Sequence, residues 1–304
     1  MEAAKKSAAC PDCHGLNYLL ERQGQFLAAR ACRCSRPCKH CGGRGHVYAK
    51  QQQGPRSYDV LTPCSCHILD ERILHFNQVG APGVLAHASF DTFLASNPGQ
   101  HRALEVARAF AVGYGKGSLK GFTLSGPVGC GKTHLLVATL THLALEAGAR
   151  AHYTEISLLY ATIRRGFQEN KSGGEIIQPL SEVEVLAIDE LGKGRGSAFE
   201  LETMDELIAR RYNAGRVTLF ATNFSLDPER RPAKAPHGHR STEDLKHASK
   251  DSDLLRDRVG ERIYSRLCEM CEFVEMPLDS PDRRRLRHEL ESRARPARRE
   301  PHGR

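Results

Sequence analysis

No apolar run in this 304-residue chain is long enough to cross a bilayer. The first residues, Met1-Glu-Ala-Ala-Lys-Lys6, lack the apolar core of a secretory signal. A helical membrane protein is thereby excluded, and a reducing cytoplasm is the expected compartment. In such a compartment disulfides are rare, so the eleven cysteines argue for metal or for chance. Acidic residues are scarce at both ends. Residues 1–67 carry ten Lys/Arg against four Asp/Glu, and residues 281–304 carry nine Arg against four acids. The formal charge of the whole chain is only +8, so the stretch between them is mildly acidic. Basic ends suggest nucleic acid, although a solubilising tail accounts equally well for the C-terminal one. An apolar share of 40% and a charged share of 26% fit a soluble globular protein, with room for one sizeable domain and smaller appendages.

The most informative stretch runs from Gly121 to His134. Gly126, Gly131, Lys132 and Thr133 fit the phosphate-loop pattern G-x-x-x-x-G-K-[ST]. Residues 122–124 read as a buried strand before it. Residues 134–146 read as a helix after it, with Leu135, Leu136, Ala138, Leu140, Leu143 and Ala144 apolar. Glycines let the backbone N–H groups of Gly126, Pro127, Val128, Gly129, Cys130, Gly131, Lys132, Thr133 and His134 (proline excepted) curl around phosphates. The helix that follows turns its positive end to the same anion. Lys132 is placed to reach the β- and γ-phosphates and Thr133 to hold Mg²⁺. Residues 183–190 form an apolar strand ending in two carboxylates. Asp189 is expected to hold Mg²⁺ through water, and Glu190 to polarise the attacking water. A strand at 217–222 ends at Asn223, which lies beside the γ-phosphate if that strand sits between the other two. Nothing in the loop itself chooses ATP over GTP.

Around this centre the spacing predicts helices over 68–79, 100–114, 156–167 and 199–212, a strand over 149–154, and a final strand over 273–276. Lys171-Ser-Gly-Gly174 reads as a loop. Residues 224–256, rich in Pro, His and mixed charge, read as a long mobile insertion. Arg258, Arg262 and Arg266 fall four apart, on one face of a helix that continues through Cys268 and Cys271. Those two cysteines have no second pair and read as packing. Phe90 and Phe93 either pack on the nucleotide domain or flank the base.

Eight other cysteines form two similar units, Cys10-x-x-Cys13 with Cys32-x-Cys34, and Cys38-x-x-Cys41 with Cys64-x-Cys66. The intervening residues 17–30 and 46–62 read as hairpins turning at Gly24 and at Gly54-Pro55. Four thiolates suit tetrahedral zinc, and a hairpin brings two pairs together. About two Zn²⁺ are expected, supplying much of the folding energy of so small a module. Each unit using its own four cysteines is the simplest scheme. Joining Cys32 and Cys34 to Cys38 and Cys41 is the alternative. Cys38-Lys-His-Cys41-Gly-Gly-Arg-Gly45 resembles the zinc-finger repeat of DnaJ co-chaperones, but no J-domain precedes it.

Taken together, Ser89-Phe-Asp-Thr-Phe93, Gly126–Thr133, Leu186-Ala-Ile-Asp-Glu-Leu-Gly192, the helix from Phe199 to Tyr212, Thr222-Asn223 and Gly260-Glu-Arg-Ile-Tyr-Ser-Arg-Leu267 resemble the AAA+ helicase loaders of the DnaC/DnaI type and the related IstB transposition helpers. The cysteine units are similar in kind to the zinc-binding adaptor of some loaders. Two tandem units and the Arg-rich tail depart from the commonest pattern. The resemblance implies an α/β fold, a P-loop AAA+ parallel sheet sandwiched by helices, preceded by the small zinc-binding hairpin module. The expected division is a module over 1–67, a linker over 68–99, a nucleotide domain over 100–280 and a tail over 281–304. Too few residues follow the final strand for a full C-terminal lid, for which Arg283 to Arg285 are a weak substitute. The resemblance further implies ATP hydrolysis between subunits of a homo-oligomer, Asn223 as sensor, and Arg266 as an arginine finger with Arg262 as second choice. Expected partners are a replicative helicase or other client through the zinc module, and single-stranded DNA. An ATP-switched adaptor with little turnover and a transposition helper are the competing readings.

Overall fold

Five short apolar segments form one parallel sheet: β5 (Gly121–Ser125), β6 (Ala151–Glu155), β7 (Val185–Asp189), β8 (Val217–Thr222) and β9 (Cys271–Glu275). Their order is β6-β7-β8-β5-β9, and every pairing is parallel. The computed structural model describes residues 10–117, 120–169, 172–226 and 253–285. Most of the expected 224–256 insertion and of the 281–304 tail therefore lies outside the described residues.

Parallel strands covered on both faces need apolar side chains on both. Alternate residues of β7 serve this. Val185 and Ala187 join one core, and Leu186 and Ile188 the other. The first core holds α2 (Pro98–Gly113) and α3 (Lys132–His142), which runs on into one wide turn, Leu143–Ala147. The second holds α4 (Ile156–Gln168), α5 (Gly173–Glu182), α6 (Ala198–Asn213), α7 (Leu255–Val259) and α8 (Glu261–Met270). The layers are helix, sheet, helix.

Two antiparallel hairpins precede this sandwich, β1 (Tyr18–Gln23) with β2 (Phe26–Ala31) and β3 (His46–Gln53) with β4 (Arg56–Pro63). They differ in surroundings. Leu27, Ala28 and Ala29 of β2 are buried, and Asn77 pairs with both the N–H and the C=O of Ala29. Tyr18 donates to Glu146, just beyond α3. The second hairpin is exposed on nearly every residue.

Several boundaries differ from the sequence expectations. The helix expected at 68–79 is α1 (Ser65–Phe76), and it starts directly behind Cys64, so the C-x-C pair leads into its first turn. The stretch 68–99 is packed rather than strung out: Phe76, Val79, Ala88 and Phe93 belong to the first core. Helix α5 begins where only a loop is expected. Ser172 accepts from the Glu175 N–H as its cap, and the two glycines after it conceal the start. Arg258 does not share a helix with Arg262 and Arg266, because Gly260, at φ +84°, separates α7 from α8. Cys271 is likewise off the helix and opens β9, buried.

Arg211 of α6 is fully buried and ties three segments together. Its guanidinium donates to the carbonyls of Leu180 and Val183 at 2.7 and 2.8 Å, to Val217 O, and to Thr218 Oγ1 at 2.9 Å. Burial pulls its pKa down to about 9. Arg211→Met should destabilise the fold by about 3 kcal/mol or more, since each buried carbonyl left unpaired costs roughly 1–3 kcal/mol. A lower urea midpoint at unchanged slope checks this.

Candidate nucleotide site and the cysteine clusters

The ends of β5, β7 and β8 lie side by side, and the loop between β5 and α3 crosses above them. Gly131, at φ +107°, delivers the chain into α3 at Lys132. The first N–H groups of such a helix have no partner within it, which leaves them to face an anion. Lys132 is buried, and its ammonium donates to the carbonyls of Gly126 and Pro127, both at 2.8 Å. Burial pushes its pKa below the ordinary lysine value, with Cys130 and Asp189 opposing.

Thr133 Oγ1 donates to Asp189 Oδ2 at 2.7 Å. Asp189 is itself buried, and its other oxygen accepts from the Glu190 N–H at 2.8 Å. A hydroxyl and a carboxylate held together are hard oxygen donors suited to Mg²⁺, which binds through one or two protein oxygens plus phosphate. A phosphate-bound Mg²⁺ neutralises charge on the phosphates during transfer. The residues present fit that group. Glu190 takes a left-handed backbone, φ +57°, and its carboxylate pairs with Lys193 Nζ at 2.5 Å. Strand β8 lies between β7 and β5, and Asn223 is exposed at its end.

Sequence reasoning overlooked several neighbours. Tyr153 of β6 donates to Asp189 Oδ2 at 2.9 Å. Burial raises its phenol, with Asp189 adding to the effect. Its place two residues before the end of a strand, beside the strand carrying Asp189, was the available signal. Buried Gln100 donates to Cys130 O at 2.9 Å and supports the loop from α2. Phe93 lies where a Cβ at Gly131 would be, 2.5 Å from its ring, and His134 bonds Ser89 O at 2.8 Å. The segment carrying Phe90 and Phe93 thus packs against the root of α3. Beyond β9, the Arg283 N–H donates to Gly129 O at 3.2 Å, and Asp282 lies against Gly129.

Arg266 lies apart from this cluster. It pairs with Asp205 of α6 at 2.5 Å, and Arg262 reaches the same carboxylate at 3.6 Å.

The cysteines gather by unit. The sulfurs of Cys10, Cys13, Cys32 and Cys34 lie within 4.8 Å of one another, as do those of Cys38, Cys41, Cys64 and Cys66. Each unit uses its own four, and the cross-paired alternative falls away. Four zinc–sulfur bonds of about 2.3 Å place tetrahedral sulfurs roughly 3.8 Å apart. The Cys10–Cys32 and Cys38–Cys64 separations are 3.9 and 3.8 Å. Burial raises the Cys41 thiol, but the Gly45 N–H, the Cys66 thiol and the Gly43 N–H outweigh it, leaving the thiol at about 6. Beside the second cluster, His67 lies 3.5 Å from the Glu71 carboxylate, with its ring 5.2 Å from that of His46.

The family model of the IstB-like ATP binding protein matches residues 118–228, which hold the phosphate loop, Asp189, Glu190 and Asn223. The replicative helicase loader DnaC of Escherichia coli K12 is 28% identical over 152 residues, 50% of this chain and 62% of the relative. The crystal structure of the DnaC helicase loader superposes with a TM-score of 0.51 at 29% identity, covering 64% of this chain and 99% of that one. The nucleotide-binding part of the chain is similar to the DnaC helicase loader in both sequence and fold. The DnaC of Buchnera aphidicola (Acyrthosiphon pisum), 25% identical over 176 residues, covers 57% of this chain and 70% of itself. A DNA replication initiation factor, at TM-score 0.50 and 20% identity over 69% of this chain and 56% of its own, shares the fold. The chain spans about three fifths of the length of the first curated DnaC relatives it matches. Among the described residues no helix is long and apolar enough to cross a membrane.

Proposed function

We propose that this protein is a cytoplasmic ATP-hydrolysing helicase loader that couples its nucleotide state to binding of single-stranded DNA and of a replicative helicase during DNA replication. One observation carries the reading: Thr133 and Asp189 in contact at 2.7 Å, between a buried lysine and a second carboxylate. In it, the loop residues 126–134 bind the triphosphate of ATP. Lys132 neutralises the β- and γ-oxygens, and Thr133 and Asp189 hold Mg²⁺. Glu190 takes a proton from the attacking water, and Asn223 orients that water. The eight clustered cysteines hold two Zn²⁺, and the module so formed contacts the helicase.

Arg266 is assigned the finger role in a homo-oligomer, where a neighbour's ATP competes with Asp205 for its guanidinium. ATP hydrolysis measured with and without single-stranded DNA tests the whole. Stimulation by DNA in the wild type, lost in Arg266→Ala with ATP binding intact, is the expected result. A finger is worth roughly 10³–10⁵ in turnover where its loss is complete. No DNA binding even at low salt, where attraction to phosphate is greatest, defeats the DNA arm of the proposal. The match to the IstB-like model favours a transposition helper as the second reading. Affinity capture from the native host separates the two, by recovering a helicase or a transposase.

A further inference from the structure

The loop after Glu190 has a construction that the site's chemistry does not require. Residues 192, 194 and 196 are all glycines with positive φ, at +86°, +149° and +65°. Such a stretch holds no shape by itself, so its contacts set it. Arg258 of α7 supplies two, donating from Nε to Gly192 O at 3.0 Å and from Nη2 to Gly194 O at 2.8 Å. Its guanidinium also lies 4.9 Å from the centre of the Phe224 ring, directly after Asn223. The Arg195 N–H donates to Glu200 Oε2 at 2.8 Å.

Between these two anchored glycines stands Lys193. Its N–H donates to Glu190 O at 2.9 Å, and its ammonium pairs with Glu190 Oε2 at 2.5 Å. Lys193 is more than half exposed, so packing does not fix it. A carboxylate that accepts from an ammonium has one oxygen occupied. An oxygen so occupied is not free to accept a proton from water.

We propose that Lys193 is a positioning residue that withholds Glu190 from the attacking water, and that Arg258 sets this latch from α7. The consequence is regulatory. Helix α7 leads through Gly260 into α8, whose Arg262 and Arg266 both face Asp205. A partner subunit that draws α7–α8 away shifts Arg258, frees the 192–196 loop and releases Glu190. Hydrolysis is then restrained in the lone protein and released on assembly. This rests on the ATPase reading given above.

Steady-state ATP hydrolysis of the full chain tests it. Lys193→Ala should raise basal kcat about three- to five-fold, the scale of an exposed ion pair, with KM unchanged. Lys193→Arg should restore the wild-type rate. Arg258→Ala should raise kcat similarly, and the double variant no further; thermal melts confirm that each variant is folded. A merely structural lysine would not split kcat from KM, nor be rescued by arginine. An unchanged or lower kcat in Lys193→Ala, with hydrolysis that Glu190→Gln abolishes, overturns the latch and leaves the ATPase reading standing. Absence of turnover in the wild type and in Lys193→Ala alike overturns both.

Discussion

Glu190→Gln should lower ATP turnover by about 10²–10⁴-fold, the usual worth of a general base, while leaving ATP affinity within about two-fold of the wild type. The two halves of this prediction come from different parts of the site. In the proposed reading, affinity resides in the loop, in Lys132 and in the Thr133–Asp189 pair, whose contacts do not involve the Glu190 side chain. The Glu190 N–H that orders Asp189 is backbone and survives the substitution. Glutamine also has the same shape and the same left-handed backbone cost as glutamate, so no new strain enters at φ +57°. What is lost is the ability to take a proton. Single-turnover hydrolysis together with binding of a fluorescent ATP analogue checks both halves. An adaptor that uses ATP only as a switch would show equal binding and equally negligible turnover in wild type and variant, so the ratio of rates separates the readings.

How much of this was legible beforehand follows from what kind of interaction holds each residue. Gly126, Lys132 and Thr133 were readable because a phosphate loop is local, with every part within eight residues of the next. Asp189 and Glu190 were readable because a strand ending in acids is also a local pattern. That Thr133 and Asp189 touch required the sheet order, which the chain does not state. Tyr153, on a third strand, was hidden for the same reason. Its partner is thirty-six residues away, and a tyrosine in a short strand ordinarily reads as packing. Lys193 was hidden differently: a lysine among glycines reads as a surface turn, and only its approach to Glu190 in the folded chain carries the task proposed for it. The arginine series 258, 262, 266 shows the opposite failure. The four-residue period was real, but Gly260 breaks the helix and sends Arg258 to a different neighbour. A glycine inside a periodic run is the local signal of such a break. The cysteine pairing was left open by spacing alone because both schemes bring four sulfurs within reach. The hairpins closed it, since each carries its C-x-x-C and C-x-C back to the same end.

Removing metal with a strong chelator should unfold the second cysteine unit before the first, and both before the sheet. The two units have the same cysteine spacing motif and the same topology, so any difference must come from their surroundings. In the first unit the hairpin has tertiary support besides its cysteine cluster. Leu27 and Ala29 lie in the core, the Leu27 N–H donates to Ala81 O, and Asn77 and Glu146 reach across to Ala29 and Tyr18. In the second, Tyr48, Tyr58 and Leu61 are exposed, and the hairpin from His46 to Pro63 has little besides its own ladder and Cys38, Cys41, Cys64 and Cys66. A lone two-stranded hairpin is marginal in water, and a structural zinc contributes about 10–16 kcal/mol to a small domain. Hydrogen exchange followed peptide by peptide should therefore show residues 46–63 losing protection completely on chelation, residues 18–31 losing it partly, and β5, β7 and β8 keeping it. Metal analysis should find about two Zn²⁺ per chain beforehand, with Cys41→Ser removing one and leaving the first unit protected. If residues 46–63 stay protected in chelator with no metal detected, the clusters are not what folds them, and the zinc assignment falls with that result.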